Sequence, residues 1–335
     1  MITPLELLLG LVPVVLFLAG LRLLDSFKLV SRRAVLLSIA VGAVASLLSY
    51  VLNAFALNVA HADPVLLRRY LAPAIEETLK GCIVLALVWT NRVGFAVDAG
   101  IHGFAVGAGF ALVENLYYAW ALGQFDPGTW IVRGLGTAML HGSTTAVVGI
   151  IAKDLTDRHR SKALRFLLPG LALAFVVHSL YNHLLLNPLL ATALLIVMMP
   201  IFVVIVFERS ERATHDWLGV GLDGDAERLE QILGGELRGT PIGDYLESLR
   251  TRFPGIVLAD MLSLLRIHLE LSLRAKGVLI ARAAGVELPP DPRVRADLDE
   301  LRHLEHAIGP TGRLAVQPLL GASDRDLWQM SLLRK

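Results

Sequence analysis

The sequence predicts an all-α protein: a polytopic membrane helix bundle of about seven spans, followed by a soluble helical domain on the cytoplasmic side. Three observations carry that prediction. The 335 residues are 55% hydrophobic and 18% charged, with a mean hydropathy of +0.60, whereas a soluble domain is roughly 45–50% apolar and about 25% charged. The charge is unevenly spread: residues 1–207 hold 14 Lys/Arg against 10 Asp/Glu, leaving 17 of the 31 bases and 20 of the 30 acids for the last 128 residues. The apolar runs are also long enough, because a hydrocarbon core about 30 Å thick takes roughly 20 residues of helix. A membrane domain over 1–207 and a polar helical domain over 208–335 are expected.

On that ruler the spans fall near 4–24, 34–59, 70–90, 97–121, 129–152, 165–186 and 187–207. The first lacks a basic leader and a small-residue cleavage site, so it reads as a retained helix rather than a signal peptide. Asn187-Pro188 predicts a tight hairpin between the last two. The third and fourth are interrupted by charge, which weakens their hydropathy signal. Lys and Arg in short loops set orientation. Lys28, Arg32, Arg33 and Arg92, with the cluster Lys153, Arg158, Arg160, Lys162 and Arg165, fall on one side. The connection from Gly123 to Gly128 on the other side carries Asp126 and no base. This bias puts the N-terminus outside and the C-terminal domain in the cytoplasm of a plasma-membrane protein. Arg68 and Arg69 run against it.

Beyond Phe207, the stretches Asp223 to Leu237, Ile242 to Arg252, Ile256 to Ala284 and Val294 to Ile308 read as amphipathic helices. They are broken by Gly234-Gly235, Pro254, Gly285 and the Pro-rich 289–292. Ile256 to Ala284 is long enough to span, but Asp260, Arg266, His268, Glu270, Arg274 and Lys276 make it a soluble helix with one apolar face. The region has no repeat, zinc-ribbon spacing, nucleotide loop or basic stripe, so nucleic acid is not an expected partner and a cytoplasmic protein is. The single cysteine, Cys82, lies in an apolar run and reads as an inert, buried packing residue.

Within the apolar stretches stand residues that cost about 2.5–3.5 kcal/mol to bury in lipid. Glu76 and Glu77 precede Lys80 in a Glu-Glu-x-x-Lys cluster. Adjacent helical residues point about 100° apart, so the two carboxylates face different ways, and Lys80 can reach either. One glutamate is expected to pair with Lys80 and the other to face a polar cavity, where desolvation suits it to general-base work. The bland alternative is a buried ion pair that only packs spans. Glu114 stands one step round from Gly103, Gly107 and Ala111, a small-residue stripe that lets helices approach closely; it either enters that gap or snorkels to the interface with Asn115, Tyr117 and Tyr118. His141 has Thr137 and Thr145 four residues to either side, so a hydroxyl is expected to orient its ring, and Arg133 reads as an interfacial anchor. His178 and Asn182 share a face, which sets a base or ligand beside an amide able to stabilise an oxyanion. Taken singly, either histidine is more often a hydrogen-bonded core residue. His183 lies off that face. The soluble zinc-protease motif, a serine nucleophile elbow and a pair of intramembrane aspartates are all missing, with only Asp98 near a span.

In order, Glu76 to Lys80 (E-E-x-x-K), Phe110 to Asn115 (F-x-x-x-E-N), Arg133 with His141, and His178 to Asn182 (H-x-x-x-N) resemble the PrsW-type intramembrane proteases, relatives of the CAAX prenyl protease and bacteriocin-immunity membrane proteins. The phrases GFALVENLYY and HSLYNH carry the likeness over roughly residues 65–185, and Asp98 also falls where that family tends to have Asp. The resemblance implies cleavage of peptide bonds in membrane protein substrates, such as anti-sigma-factor-like single-span proteins, within or beside the bilayer. It implies that Glu77 or Glu76, with His178, activates a water that Glu114 and His141 position directly or through a metal, with Asn182 on the oxyanion. Both a divalent metal such as zinc, held by Glu114, His141 and His178, and a metal-free Glu/His route stay open. The alternatives from other classes are a proton-coupled transporter and a membrane sensor or scaffold using the same buried Glu/His network.

Overall fold

The computed structural model describes residues 4–25, 27–122, 128, 131–159, 163–289, 291–320 and 324–333. Asp126, Arg160, Lys162 and Pro290 lie outside the described residues, as does the side chain of Arg133. Every regular element among the described residues is a helix, and the chain divides into two compact units, Met1–Glu211 and Arg212–Lys335.

In the first unit, α1 (Pro4–Leu24), α2 (Arg32–Asn58), α3 (Ala72–Trp89), α4 (Ala96–Leu122), α5 (Ala138–His159) and α6 (Leu168–Asn182) precede α7 (Pro188–Leu233), whose residues from Arg212 onward belong to the second unit. Local chemistry sets the helix starts. The Ser31 hydroxyl accepts the Ala34 N–H at the head of α2, and the Asn187 side chain accepts the Leu189 N–H at 3.0 Å beside Pro188, where α7 begins. Asp63 accepts the N–H groups of Val65 and Leu66, both at 2.9 Å, and starts a turn that widens to a π-helix over Leu67–Leu71 before α3. A second π-helix, Ile131–Thr137, leads into α5. Such wide turns recur at functional sites.

Among the described residues, five helical stretches are long and apolar enough to cross a membrane: Arg32–Asn58, Ala96–Ala121, Gly134–His159, Leu164–Asn182 and Pro188–Leu233. The 18 residues of α3 carry charge only at Glu76, Glu77 and Lys80. Leu36, Val44, Val51 and Phe55 of α2 and Leu194, Val197 and Ile201 of α7 face outward. That much apolar surface is untenable in water and is what lipid solvates. Cys82 is exposed too. The register that turns Glu77 and Lys80 of α3 inward carries position 82 to the far side, so it is not the buried packing residue its apolar neighbours suggest.

Helix α4 forms the centre, packed most extensively on α5 and then on α2. Glycine makes this possible on both sides. A Cβ at Gly107 would overlap the backbone carbonyl of His141, one at Gly103 would come within 2.5 Å of the Thr145 carbonyl, and one at Gly109 would overlap the Ile39 carbonyl of α2. Backbone atoms cannot rotate away. Gly107→Val is therefore expected to destabilise the bundle by at least about 1–3 kcal/mol, because the turn carrying His141 must move. Unfolding in detergent measures it, and a wild-type value would refute the point.

The second unit contains α8 (Pro241–Ser248), α9 (Gly255–Ala283), α10 (Arg293–Ala307), α11 (Gly309–Leu320) and α12 (Asp324–Leu332). Its sequence suggests one apolar face on α9, but the structure buries more than one. Leu264 and Leu271 pack with Leu298 and Leu301, while Leu265 and Leu269 pack with Ile242. A polar clasp closes it: Lys276 donates to Asp225 at 2.5 Å and to the Gly221 carbonyl at 2.8 Å, and Gln329 of α12 donates to Ser272 at 2.9 Å. The amphipathic helix expected from Asp223 is not separate but the continuation of α7.

Candidate active site

The 100° step between neighbouring positions on α3 separates the two glutamates. Glu77 points inward and is 1% exposed. Its Oε1 accepts from Lys80 Nζ and from His178 Nδ1 of α6, each at 2.7 Å. Glu76 faces a cavity. One of its oxygens accepts from Asn53 Nδ2 of α2 at 3.4 Å, and the other lies 3.8 Å from His178 Nε2. Because Nδ1 of His178 meets a carboxylate oxygen, the network assigns the ring proton to it and leaves the Nε2 lone pair toward Glu76.

His141 comes from α5, on the turn that Gly107 allows against α4. Its Nδ1 lies 2.8 Å from Lys80 Nζ and its Nε2 2.8 Å from Glu114 Oε2. With Lys80 donating to Nδ1, the ring proton sits on Nε2 and is given to Glu114. The imidazoles of His141 and His178 meet edge to face with centroids 5.0 Å apart, and Phe110 covers both His141 and Lys80 at 4.9 Å. The threonines do not orient the ring. Thr145 donates instead to the His141 backbone carbonyl at 2.8 Å, and Thr137 to the Val132 carbonyl at 3.4 Å.

Helix α6 is pinned to the wide turn before α3. Ser179 donates to the Arg69 carbonyl at 2.6 Å, and Asn182 donates to the Arg68 carbonyl at 3.0 Å. Asn182 lines the same cavity as Glu76, Glu114 and His178, with one of its two amide hydrogens engaged. His183 turns away to the Tyr70 hydroxyl at 3.0 Å. The cavity is about 820 Å³, with carboxylates and imidazole on part of its wall and Leu47, Leu57, Tyr117 and Trp120 among the remainder. Asp98 stands apart, accepting from the N–H groups of Gly94 and Phe95 at the start of α4. The structure thus gathers Glu76, Glu77, Glu114, His141 and His178, sets Asn182 at the cavity, and adds Lys80 and Asn53.

The description "PrsW family intramembrane metalloprotease" matches residues 30–206, more than half of the chain. The chain belongs to this family. No curated protein and no solved structure matches it significantly. As a PrsW-family chain with several apolar helices, it is a multi-pass membrane protein of an intramembrane protease family.

The donor chemistry fits the metal that a metalloprotease family implies. Glu76, His141 and His178 each offer a ligand atom, and these atoms lie within 4.8 Å of one another. Carboxylate and imidazole donors of this kind suit zinc and its neighbours. The Glu77–His178 contact is the carboxylate–histidine arrangement that orients a metal-binding imidazole, and Asn53 holds the Glu76 carboxylate in the same manner. The resemblance implies Glu114 as the carboxylate ligand. In the structure a Glu76 oxygen lies within 4.8 Å of a nitrogen on each of the two imidazoles, and Glu114 Oε2 contacts His141 Nε2 at 2.8 Å.

Proposed function

We propose that this PrsW-family protein is an endopeptidase that hydrolyses peptide bonds in membrane protein substrates, single-span proteins of the anti-sigma-factor kind among them. One observation carries the reading: three metal-competent side chains from three helices converge where Glu76 and His178 line a cavity large enough for a peptide segment. Glu76 and His178 would hold the metal, and His141 would join them by giving up its contact with Lys80 or with Glu114, since both of its ring nitrogens are engaged. When bound, a divalent cation such as zinc supplies Lewis-acid polarisation of the carbonyl and of water.

The chain's own residues do the rest. Glu77, sealed by Lys80 and His178, keeps the Nε2 lone pair of His178 turned to the cavity. Lys80 fixes the ring of His141. Glu114, whose side chain keeps 20% exposure, is the general base: its carboxylate takes the proton of the attacking water and passes it to the leaving amine nitrogen. Asn182 gives its second amide hydrogen to the carbonyl oxygen as charge develops. Neither Glu76 nor Glu77 is free for base duty, since one faces two imidazoles and the other is closed by its ion pairs.

In the same reading α1 and α3 also span, giving seven crossings, with the N-terminus outside, the second unit in the cytoplasm of a plasma-membrane protein and a protein partner for 208–335. The family membership and the buried ligand set favour catalysis over transport or a scaffold role. The test is reconstitution in lipid with candidate single-span substrates and elemental analysis of the purified chain. Cleavage with bound metal is expected. Glu77→Gln should weaken metal affinity by about 10–100-fold, as loss of a residue that orients a ligand does. Metal affinity unchanged by both Glu76→Gln and His178→Ala would reject the ligand assignment.

A further inference from the structure

Arg68 and Arg69 contradict the loop charge bias, and nothing in the catalytic reading uses them. Arg68 sits in the π-helical turn Leu67–Leu71 and is exposed where that turn lines the cavity. Among the described residues lining it, Arg68 is the only Lys or Arg, while Glu76 and Glu114 are acidic. Among the described residues no carboxylate lies within ion-pair distance of its guanidinium. The nearby Asp63 is occupied with the N–H groups of Val65 and Leu66. The backbone of Arg68 is not free to drift: its carbonyl accepts from Asn182, four residues from His178 on α6. The backbone that carries this cation is thus anchored beside the candidate centre, and its side chain is exposed.

We propose that Arg68 is a specificity-determining residue that binds a carboxylate on the substrate peptide. The inference rests on the reading of the cavity as a peptide site. Eight residues of helical path separate Arg68 from Glu76, roughly 12 Å at 1.5 Å per residue. An extended peptide advances about 3.3 Å per residue, so the recognised Asp or Glu lies about three or four residues from the scissile bond. The planar guanidinium suits the two carboxylate oxygens.

The experiment measures binding rather than cleavage. The full chain carrying Glu114→Gln is placed in nanodiscs of zwitterionic lipid. Two single-span peptides, identical except for Glu or Gln at that position, are titrated by fluorescence anisotropy. The Glu peptide is expected to bind about threefold to tenfold tighter, with the preference falling at high salt. Arg68→Gln should erase the difference, and Arg68→Glu should reverse it toward a peptide bearing Lys. Equal affinities in the parent, or a preference that survives both substitutions, overturns the proposal. So does an effect of Arg68→Gln that appears only with anionic lipid and equally for both peptides, which makes the residue a lipid-phosphate anchor. Arg68-dependent preference for peptides that the otherwise unmodified chain never cuts would refute proteolysis and leave the carboxylate site standing.

Discussion

Glu114→Gln is expected to lower cleavage by about 10²–10⁴-fold, the range for loss of a positioned general base, while metal content stays near that of the unmodified chain. The amide keeps the size of the side chain and a contact with His141 Nε2, but it cannot take a proton from water. Glu76→Gln should silence cleavage for a different reason, by removing one of the three converging ligand atoms, and so should lose metal as well. Comparing the two variants for activity in lipid and for bound metal separates the roles. If Glu114→Gln cuts at more than a tenth of the parent rate, the base lies elsewhere. If it sheds metal as Glu76→Gln does, Glu114 is a ligand.

The largest expected effect on stability is at Lys80. Its side chain is fully buried and its Nζ sits between Glu77 Oε1 at 2.7 Å and His141 Nδ1 at 2.8 Å. Lys80→Met removes the cation and leaves Glu77 in the interior with His178 as its remaining ion-pair partner; its second oxygen already has none. Breaking one side of a buried pair costs about 3–5 kcal/mol, whereas replacing both partners by neutral groups of similar size is far milder. Glu77→Gln in the Lys80→Met background should therefore recover part of the loss. Unfolding of the single and double variants in detergent measures it, and a single variant within about 1 kcal/mol of the parent would show that the pair does not hold the bundle.

The sequence is most informative where spacing along one helix decides. Residues one step apart must diverge, and Glu76 and Glu77 do; Glu77 takes Lys80, and Glu76 takes the cavity. Residues four apart share a face, which sets His178 and Asn182 together. The small-residue stripe at Gly103 and Gly107 marks a close helix contact, and the structure supplies the partner, the turn of His141. Where contacts join distant segments, periodicity is silent. Asn53 lies 23 residues from Glu76 in the chain and Lys80 lies 61 from His141, so neither partnership is written in a local pattern. The threonines flanking His141 show the converse error: a helical hydroxyl finds the backbone carbonyl one turn back more readily than a ring. The helices α11 and α12 escape notice because one holds Gly312 and Pro318 and the other is short. The π-helical turns carry no signature of their own.

Bare backbone meets bare backbone on both sides of α4, at the His141 turn and at Ile39. Atoms without rotamers leave no slack, so the gauge across the heart of the bundle is rigid. Thinner or thicker bilayers can tilt the outer helices and alter how readily a substrate leaves the lipid, yet they have little purchase on the separation of Glu114 from His141. Turnover of a captured peptide should then be nearly blind to acyl-chain length, and lipid composition should act through capture alone.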